Sequence, residues 1–332
     1  MEAATEQAVL ADSTWLAHRY DDAGDSFHFC NIPWAERAAI PFLSEEALQD
    51  RQPRQILSAH QIDPKSLGGA PLHFIFHSAF CASTLLSKAL GSGPVTSLSE
   101  PQVLNDMIGA LRRGKPAAEV ARALDQALAL LSRPMADRPI VVLKPSNLVN
   151  HLAQAMMMLR PDSRAVFLYA PLEVFLGSVA RKGLWCRLWV RELLDYQRQL
   201  GMVPFGLSEG DYFRLTDLQV AAIGWLTQYQ LFSTLRAGPL GARILMLTSE
   251  QLTDAQAGQL PAIAQHFGLD AAARAQVAAS PELTRHSKFG QDFSAEDRVR
   301  EREAALASHA DEIEKVALWA REVARSISLT ID

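Results

Sequence analysis

Residues 72–90 constrain this chain more tightly than any other stretch. Leu72–His77 is a short β-prone run without Asp, Glu, Lys or Arg. It is followed by the small-residue loop His77-Ser78-Ala79-Phe80-Cys81-Ala82-Ser83-Thr84. Leu85, Leu86, Ala89 and Leu90 then fall at helical spacing until Gly91 and Gly93 end the pattern. Where a strand runs through small residues into a helix, the first backbone N–H groups are unpaired and carry the positive end of the helix dipole. A phosphate or a sulfate fits such a place. Ser83 and Thr84 add hydroxyl donors in the first turn. The plainer alternative, open at this point, is that Ser83 caps an ordinary buried helix.

The rest of the chain supplies the context. Residues 14–31 alternate as a hairpin, with arms around Trp15–Tyr20 and Phe27–Ile32, and 44–61 reads as a helix with Ser44 at its start. After the loop come short strands at Val95–Leu98, Pro139–Leu143 (a continuous apolar run), Arg164–Tyr169 and Ala242–Leu247. Helical patterns separate or follow them at 102–112, 117–132, 147–159, 172–181, 219–236, 256–267 and 295–325. Strands alternating with helices imply a parallel sheet covered by helices on both faces. The expected organisation is an N-terminal hairpin and helix over 1–70, packed on an α/β domain over 71–332. The aromatic, arginine-rich stretch 183–218 interrupts the alternation as a helical insertion. In such sheets ligands bind beyond the carboxyl ends of the strands, so the residues after each strand matter most.

Composition excludes several classes. At 332 residues with 48% apolar residues, a large core needs no disulfide or metal staple. A net charge of −5 speaks against a nucleic-acid partner. Three scattered cysteines, with no CxxC pair and no metal-ligand spacing among nine histidines, lead us to expect a cytoplasmic protein with no metal site. The start lacks a signal-peptide pattern, and apolar runs fall far short of the about 20 residues of a membrane span.

The loop differs from the triphosphatase pattern G-x-x-x-x-G-K-S/T. His77 stands for the first glycine, Ala82 for the second and Ser83 for the lysine, and the strand at 139–143 ends in Lys144 where a magnesium-binding Asp would stand. Magnesium-dependent phosphoryl transfer of the usual kind is therefore not expected. Instead, Phe80-Cys81-Ala82-Ser83-Thr84-Leu85-Leu86 resembles the loop of the sulfotransferases that use 3′-phosphoadenosine-5′-phosphosulfate (PAPS), where Arg/Lys-Ser-Gly-Thr-Thr/Ser-Leu-Leu is common. Further landmarks follow in that family's order: Ser99-Glu100-Pro101, Lys144-Pro145, Ser178 eight residues after Ala170, Thr248-Ser249-Glu250-Gln251-Leu252, and Ser287-Lys288-Phe289-Gly290. The resemblance covers about residues 72–290. It departs from the family at Phe80, which replaces a cation, at Ala82, which replaces a glycine, and at Ala170, which replaces an arginine.

The resemblance implies a three-layer αβα P-loop-type fold with a central parallel sheet flanked by helices. It implies PAPS as co-substrate, no metal, and a small-molecule or peptide acceptor. It places the co-substrate on Ala79, Phe80, Cys81, Ala82, Ser83 and Thr84, with Ser178 toward the 3′-phosphate and Lys288 and Gly290 in a late loop; Arg181 or Lys182, one helical turn beyond Ser178, stands in for the arginine missing at Ala170. Sulfuryl transfer needs a base for the acceptor proton and charge on the bridging oxygen. The resemblance makes Glu100 the base; His77 competes with it because it leads the loop, and Lys144, at a strand's carboxyl end, is placed to neutralise the leaving phosphate. Two rivals stay open: a degenerate member of the fold that binds a nucleotide or phosphorylated ligand without transfer, and a noncanonical ATP-dependent kinase.

Overall fold

The computed structural model describes residues 6–133, 135, 137–253, 259–284 and 307–331. Among the described residues, eight strands form two sheets. β1 (Trp15–Asp21), β2 (Ser26–Asn31) and β3 (Arg54–Ser58) make a three-stranded sheet in that order. The second sheet has five parallel strands flanked by helices, as the alternation of the sequence predicts. Its members are β4 (Leu72–His77), β5 (Val95–Ser99), β6 (Ile140–Lys144), β7 (Ala165–Tyr169) and β8 (Ile244–Thr248), in the order β5-β6-β4-β7-β8. The registers are explicit: Phe74 lies opposite Leu143, and Ser99 opposite Lys144. β4 and β7 advance together, with the N–H of Phe74 on the carbonyl of Arg164 and that of Ser78 on Leu168.

Packing divides the chain into two compact units. One comprises Met1–Phe76, Thr84–Val166 and Gln259–Leu283; the other His77–Ser83, Phe167–Gly258 and Thr284–Asp332. In the first, the hairpin β1–β2 lies on helix Gln102–Arg112 through Asp106, which takes the Arg19 guanidinium at 2.9 and 3.1 Å and the Tyr20 N–H at 2.9 Å. The helix expected over 44–61 is replaced by one helical turn, Glu45–Leu48, and strand β3. Pro53 cannot sit in a helix interior. Beyond it the chain pairs with β2, Arg54 opposite Cys30 and Leu57 opposite Phe27. Arg54 turns back to cap the short helix at the carbonyls of Leu48 and Gln49.

β4 is buried along its whole length, which is what a central strand between two helix layers requires. Burial, followed by the charge of Arg164, holds His73 of this strand down to about 4. Its ring stacks on Phe267 at 5.1 Å and its Nδ1 accepts the Arg164 N–H. A histidine neutral when folded and ordinary when unfolded stabilises above the unfolded value of about 6.5, and the stabilisation fades as pH falls toward 4. We expect up to about 3 kcal/mol to be lost over that window, less in His73→Phe, read from denaturant midpoints at pH 7 and pH 4.5.

The second unit is helical around β7 and β8. Thr216 and Gln219 form a capping box at the start of helix Asp217–Ala237, which is buried over most of its surface. Trp225 of this helix donates from Nε1 to the carbonyl of Ala170 at 2.9 Å and stacks on Tyr229. The segment expected as a helical insertion holds helices Gly183–Gln199 and Glu209–Arg214. No described helix is long and apolar enough to cross a membrane.

Candidate functional site

The loop after β4 belongs to the second unit. Its backbone enters the left-handed region three times in four residues, at Ala79 (φ 71°), Phe80 (φ 51°) and Ala82 (φ 63°), none of them glycine. Left-handed backbone costs an L-residue about 1–2 kcal/mol, and strain of this kind persists only where the surroundings over-determine it. Here they do. The Ser78 N–H bonds the Leu168 carbonyl at 3.0 Å, the Ser78 hydroxyl accepts from the Ala170 N–H at 3.2 Å, and the ring Nδ1 of His77 accepts from the Ala79 N–H at 3.2 Å. His77 is buried and ties the turn together from its first residue. Cys81 is fully buried, and Ser83 is the first residue of helix Ser83–Gly91, with Thr84 buried behind it.

Ala82, the position where the resemblance has glycine, therefore adopts a glycine-like conformation. Ala82→Gly is expected to stabilise the protein by about 0.5 kcal/mol, the relief of left-handed strain less the entropy returned to the unfolded chain. Ala82→Val, with a β-branched side chain in the same conformation, is expected to destabilise it by more than about 1 kcal/mol. Chemical denaturation of both variants checks the sign.

Phe80, where the resemblance has a cation, packs its ring 5.8 Å from Phe175 and 5.6 Å from Trp189. The Lys182 ammonium lies 5.4 Å above that ring. Helix Gly183–Gln199 thus brings one tryptophan to the loop. Its arginines are engaged elsewhere: Arg191 binds Asp217 at 2.7 Å, and Arg187 faces Glu312 at 3.6 Å. Trp185 is 65% exposed. Ser178, expected to hold a phosphate, donates its hydroxyl to the Val174 carbonyl at 2.9 Å. Arg181 is exposed at the end of helix Leu172–Arg181. Lys288 and Gly290 lie outside the described residues. Thr248 and Gln251, part of another landmark, form a reciprocal cap, each side chain on the other's N–H at 3.1 and 2.9 Å.

The other two candidates meet in the first unit. The Lys144 Nζ sits 2.5 Å from Glu100 Oε1, and the Glu100 N–H bonds the Lys144 carbonyl at 2.6 Å. The Lys144 side chain has no exposed surface, while that of Glu100 is 25% exposed. Glu100 is in left-handed backbone (φ 51°) immediately before Pro101, where an extended conformation is the norm. The charge of the lysine is matched by the carboxylate expected to serve as base. The Lys144 Nζ also lies 5.1 Å from the centre of the Phe42 ring. Nothing in the run Ile40-Pro41-Phe42-Leu43 marks it as more than a core segment. A cleft of about 270 Å³ in the same unit is lined in part by Trp34, Pro41, Leu43, Ser87, Ser97 and Ser99. Among the described residues no group of three or more His, Cys, Asp or Glu could hold a metal ion.

Among solved structures the chain is similar to the sulfotransferase domain from the curacin biosynthetic pathway, at 14% identity and a TM-score of 0.43 over 80% of this chain and 99% of that one. It is similar to the sulfotransferase domain from the Synechococcus PCC 7002 olefin synthase, at 16% identity and a TM-score of 0.43 over 80% and 97%. It is also similar to sulfotransferase STF1 from Mycobacterium tuberculosis H37Rv, at 15% identity and a TM-score of 0.39 over 70% and 76%. No family model matches the chain, and no curated protein matches it in sequence. What the chain does has to be argued from its own residues.

Proposed function

We propose that this protein is a sulfotransferase, moving a sulfuryl group from PAPS to a hydroxyl or amine of a small molecule or peptide. The observation that carries this reading is the loop after β4. It is a non-glycine backbone held in left-handed turns at the end of a buried parallel strand, opening into a nine-residue helix. Left- and right-handed residues in succession turn neighbouring N–H groups into an anion nest, and the helix start adds its dipole. The loop lacks the lysine of a triphosphate cradle, and β6 ends in Lys144 rather than in a carboxylate for magnesium.

In this reading the acceptor oxygen or nitrogen attacks sulfur as the bond from sulfur to the bridging phosphate oxygen breaks. The acceptor proton goes to Glu100, 3′,5′-adenosine bisphosphate leaves, and Lys144 offsets the charge gathering on the bridging oxygen. His77 is assigned to shaping the loop through its bond to the Ala79 N–H rather than to proton transfer. Ser178, Arg181, Lys288 and Gly290 remain proposals for the 3′-phosphate. The test is transfer of label from sulfur-35 PAPS to a panel of phenols, amines and tyrosyl peptides in the presence of a chelator. Label in an acceptor, lost in Lys144→Met, supports the reading.

One observation favours a second reading, a binder of nucleotides or phosphorylated ligands that does not transfer. Phe80, packed against Phe175 and Trp189, puts an aromatic ring where a cation is expected. Bisphosphate binding without label transfer to any acceptor would select it.

A further inference from the structure

We propose that the cleft beside the edge strand β5 binds a small organic monocarboxylate, its charge matched by Arg37 and its apolar body against Trp34, Pro41 and Leu43. The cleft is separate from the loop after β4, and the proposal stands whether or not that loop holds PAPS. Its volume is about 270 Å³, and its walls come from helix Trp34–Ala39, the stretch 40–43, β5 and the second half of helix Ser83–Gly91, all in the first unit. Arg37 is the residue that points to a ligand. It lines the cleft at 4% exposure. All three of its hydrogen bonds leave from Nη2, to the carbonyls of Ser13, Thr14 and Ile32 at 2.9, 2.9 and 3.0 Å. Its Nε is buried with no hydrogen-bond partner among the described residues. The carbonyls fix the guanidinium but bring no opposite charge. Burial lowers it to about 10, so it stays charged at neutral pH, with Asp12 acting on it only from beyond hydrogen-bond reach. A buried charge without a matched partner is costly, and a guanidinium is the group best shaped to take a carboxylate.

The charge balance sets the ligand class. The charged residues of the lining are Arg37, Lys88 and Glu282. Lys88 and Glu282 face each other at 3.7 Å and offset one another. Arg138, whose guanidinium lies 4.6 Å from the centre of the Trp34 ring, stands 3.9 Å from Asp137. One positive charge is left, which a monocarboxylate matches; a phosphate monoester, at about −1.5 to −2, is not matched. The hydroxyls on the wall differ in availability. Ser87 and Ser97 bond each other at 2.8 Å. The Ser99 hydroxyl, also in the lining, is buried without a hydrogen-bond partner among the described residues, so it is a donor in reserve. The walls are pre-formed, as ligand pockets commonly are. Arg138 donates to the carbonyls of Gly91, Gly93 and Val95 at 2.9, 2.8 and 3.0 Å, and Leu43 gives its N–H to the Ser99 carbonyl at 2.8 Å.

The test titrates the full chain with benzoate, with benzamide as its neutral isostere, and with inorganic phosphate. Binding is read by saturation-transfer NMR, and thermal unfolding of each variant is recorded alongside. Benzoate is expected to bind about tenfold or more tightly than either benzamide or phosphate. Lys88→Met, which leaves Glu282 unmatched, is expected to weaken benzoate by about threefold, and Glu282→Gln to tighten it by about threefold. A packing defect would not give opposite signs at the two ends of one ion pair. Ser99→Ala removes a hydroxyl with no partner, so it is expected to weaken benzoate while leaving the unfolding midpoint unchanged or raised. Arg37→Met is expected to abolish binding; if the loss of its carbonyl bonds prevents folding, the other three variants decide. No benzoate binding up to about 10 mM would overturn the proposal. So would equal binding of benzamide or phosphate, or charge variants that shift the affinity in one direction or not at all.

Discussion

Glu100→Leu is expected to destabilise the protein by about 3–5 kcal/mol, far more than Lys144→Met, although the two residues form one ion pair. The asymmetry follows from where each charge sits. The lysine side chain is wholly buried, and the glutamate is 25% exposed. Removing the carboxylate leaves a buried ammonium without its matched charge, and burying an uncompensated charge is the costly case. Removing the ammonium leaves a carboxylate that still reaches solvent, and methionine fills the stem's volume beside Phe42. The double variant Glu100→Leu with Lys144→Met is expected to recover most of the stability lost in Glu100→Leu, since a buried pair replaced by apolar groups is often neutral. Urea unfolding of the three variants measures it. If Lys144 supplies charge to a leaving oxygen, Lys144→Met lowers transfer by about 10²–10³ while leaving the fold intact.

Arg133→Met is the second large effect. This arginine is buried in the first unit. It donates to the carbonyls of Leu130, Val9, Leu10, Asp12 and Trp15. Burial lowers its guanidinium to about 10, so it stays charged at neutral pH. It closes helix Ala117–Leu131 and holds the segment that leads into β1. Each stranded buried acceptor costs about 1–3 kcal/mol, and shared solvation keeps the sum below simple addition, so a loss of about 4 kcal/mol is expected. Arg133→Lys is expected to recover little, because an ammonium has three donors and no planar fork. Thermal and urea unfolding report both, and an Arg133→Met midpoint equal to wild type would refute the assignment.

The central sheet was legible because its strands are buried on both sides. β4 reads as a β-prone run, β6 as a continuous apolar run and β7 as a strand, and all three are buried nearly throughout. The hairpin showed as alternation with one exposed end. β3 did not, because what decides its conformation is pairing with β2, a tertiary fact. The loop's place was legible from its small residues between a strand and a helix. Its left-handed backbone was not, because glycine, the usual marker, is absent. Glu100 and Lys144 were each marked by position, yet their contact depends on β5 and β6 being neighbours in register, Ser99 opposite Lys144. Ser178 carried a signal that could have tempered its assignment: a serine inside a helix commonly bonds the carbonyl four residues back, and this one does.

The measurement that bears most directly on the proposed function is calorimetric titration of the full chain with 3′,5′-adenosine bisphosphate in the presence of a chelator, beside ATP with magnesium. The account predicts one metal-independent bisphosphate site with a dissociation constant below millimolar, and no tighter site for magnesium ATP. No bisphosphate binding up to near-millimolar concentration, or ATP binding that appears only with magnesium, would contradict it.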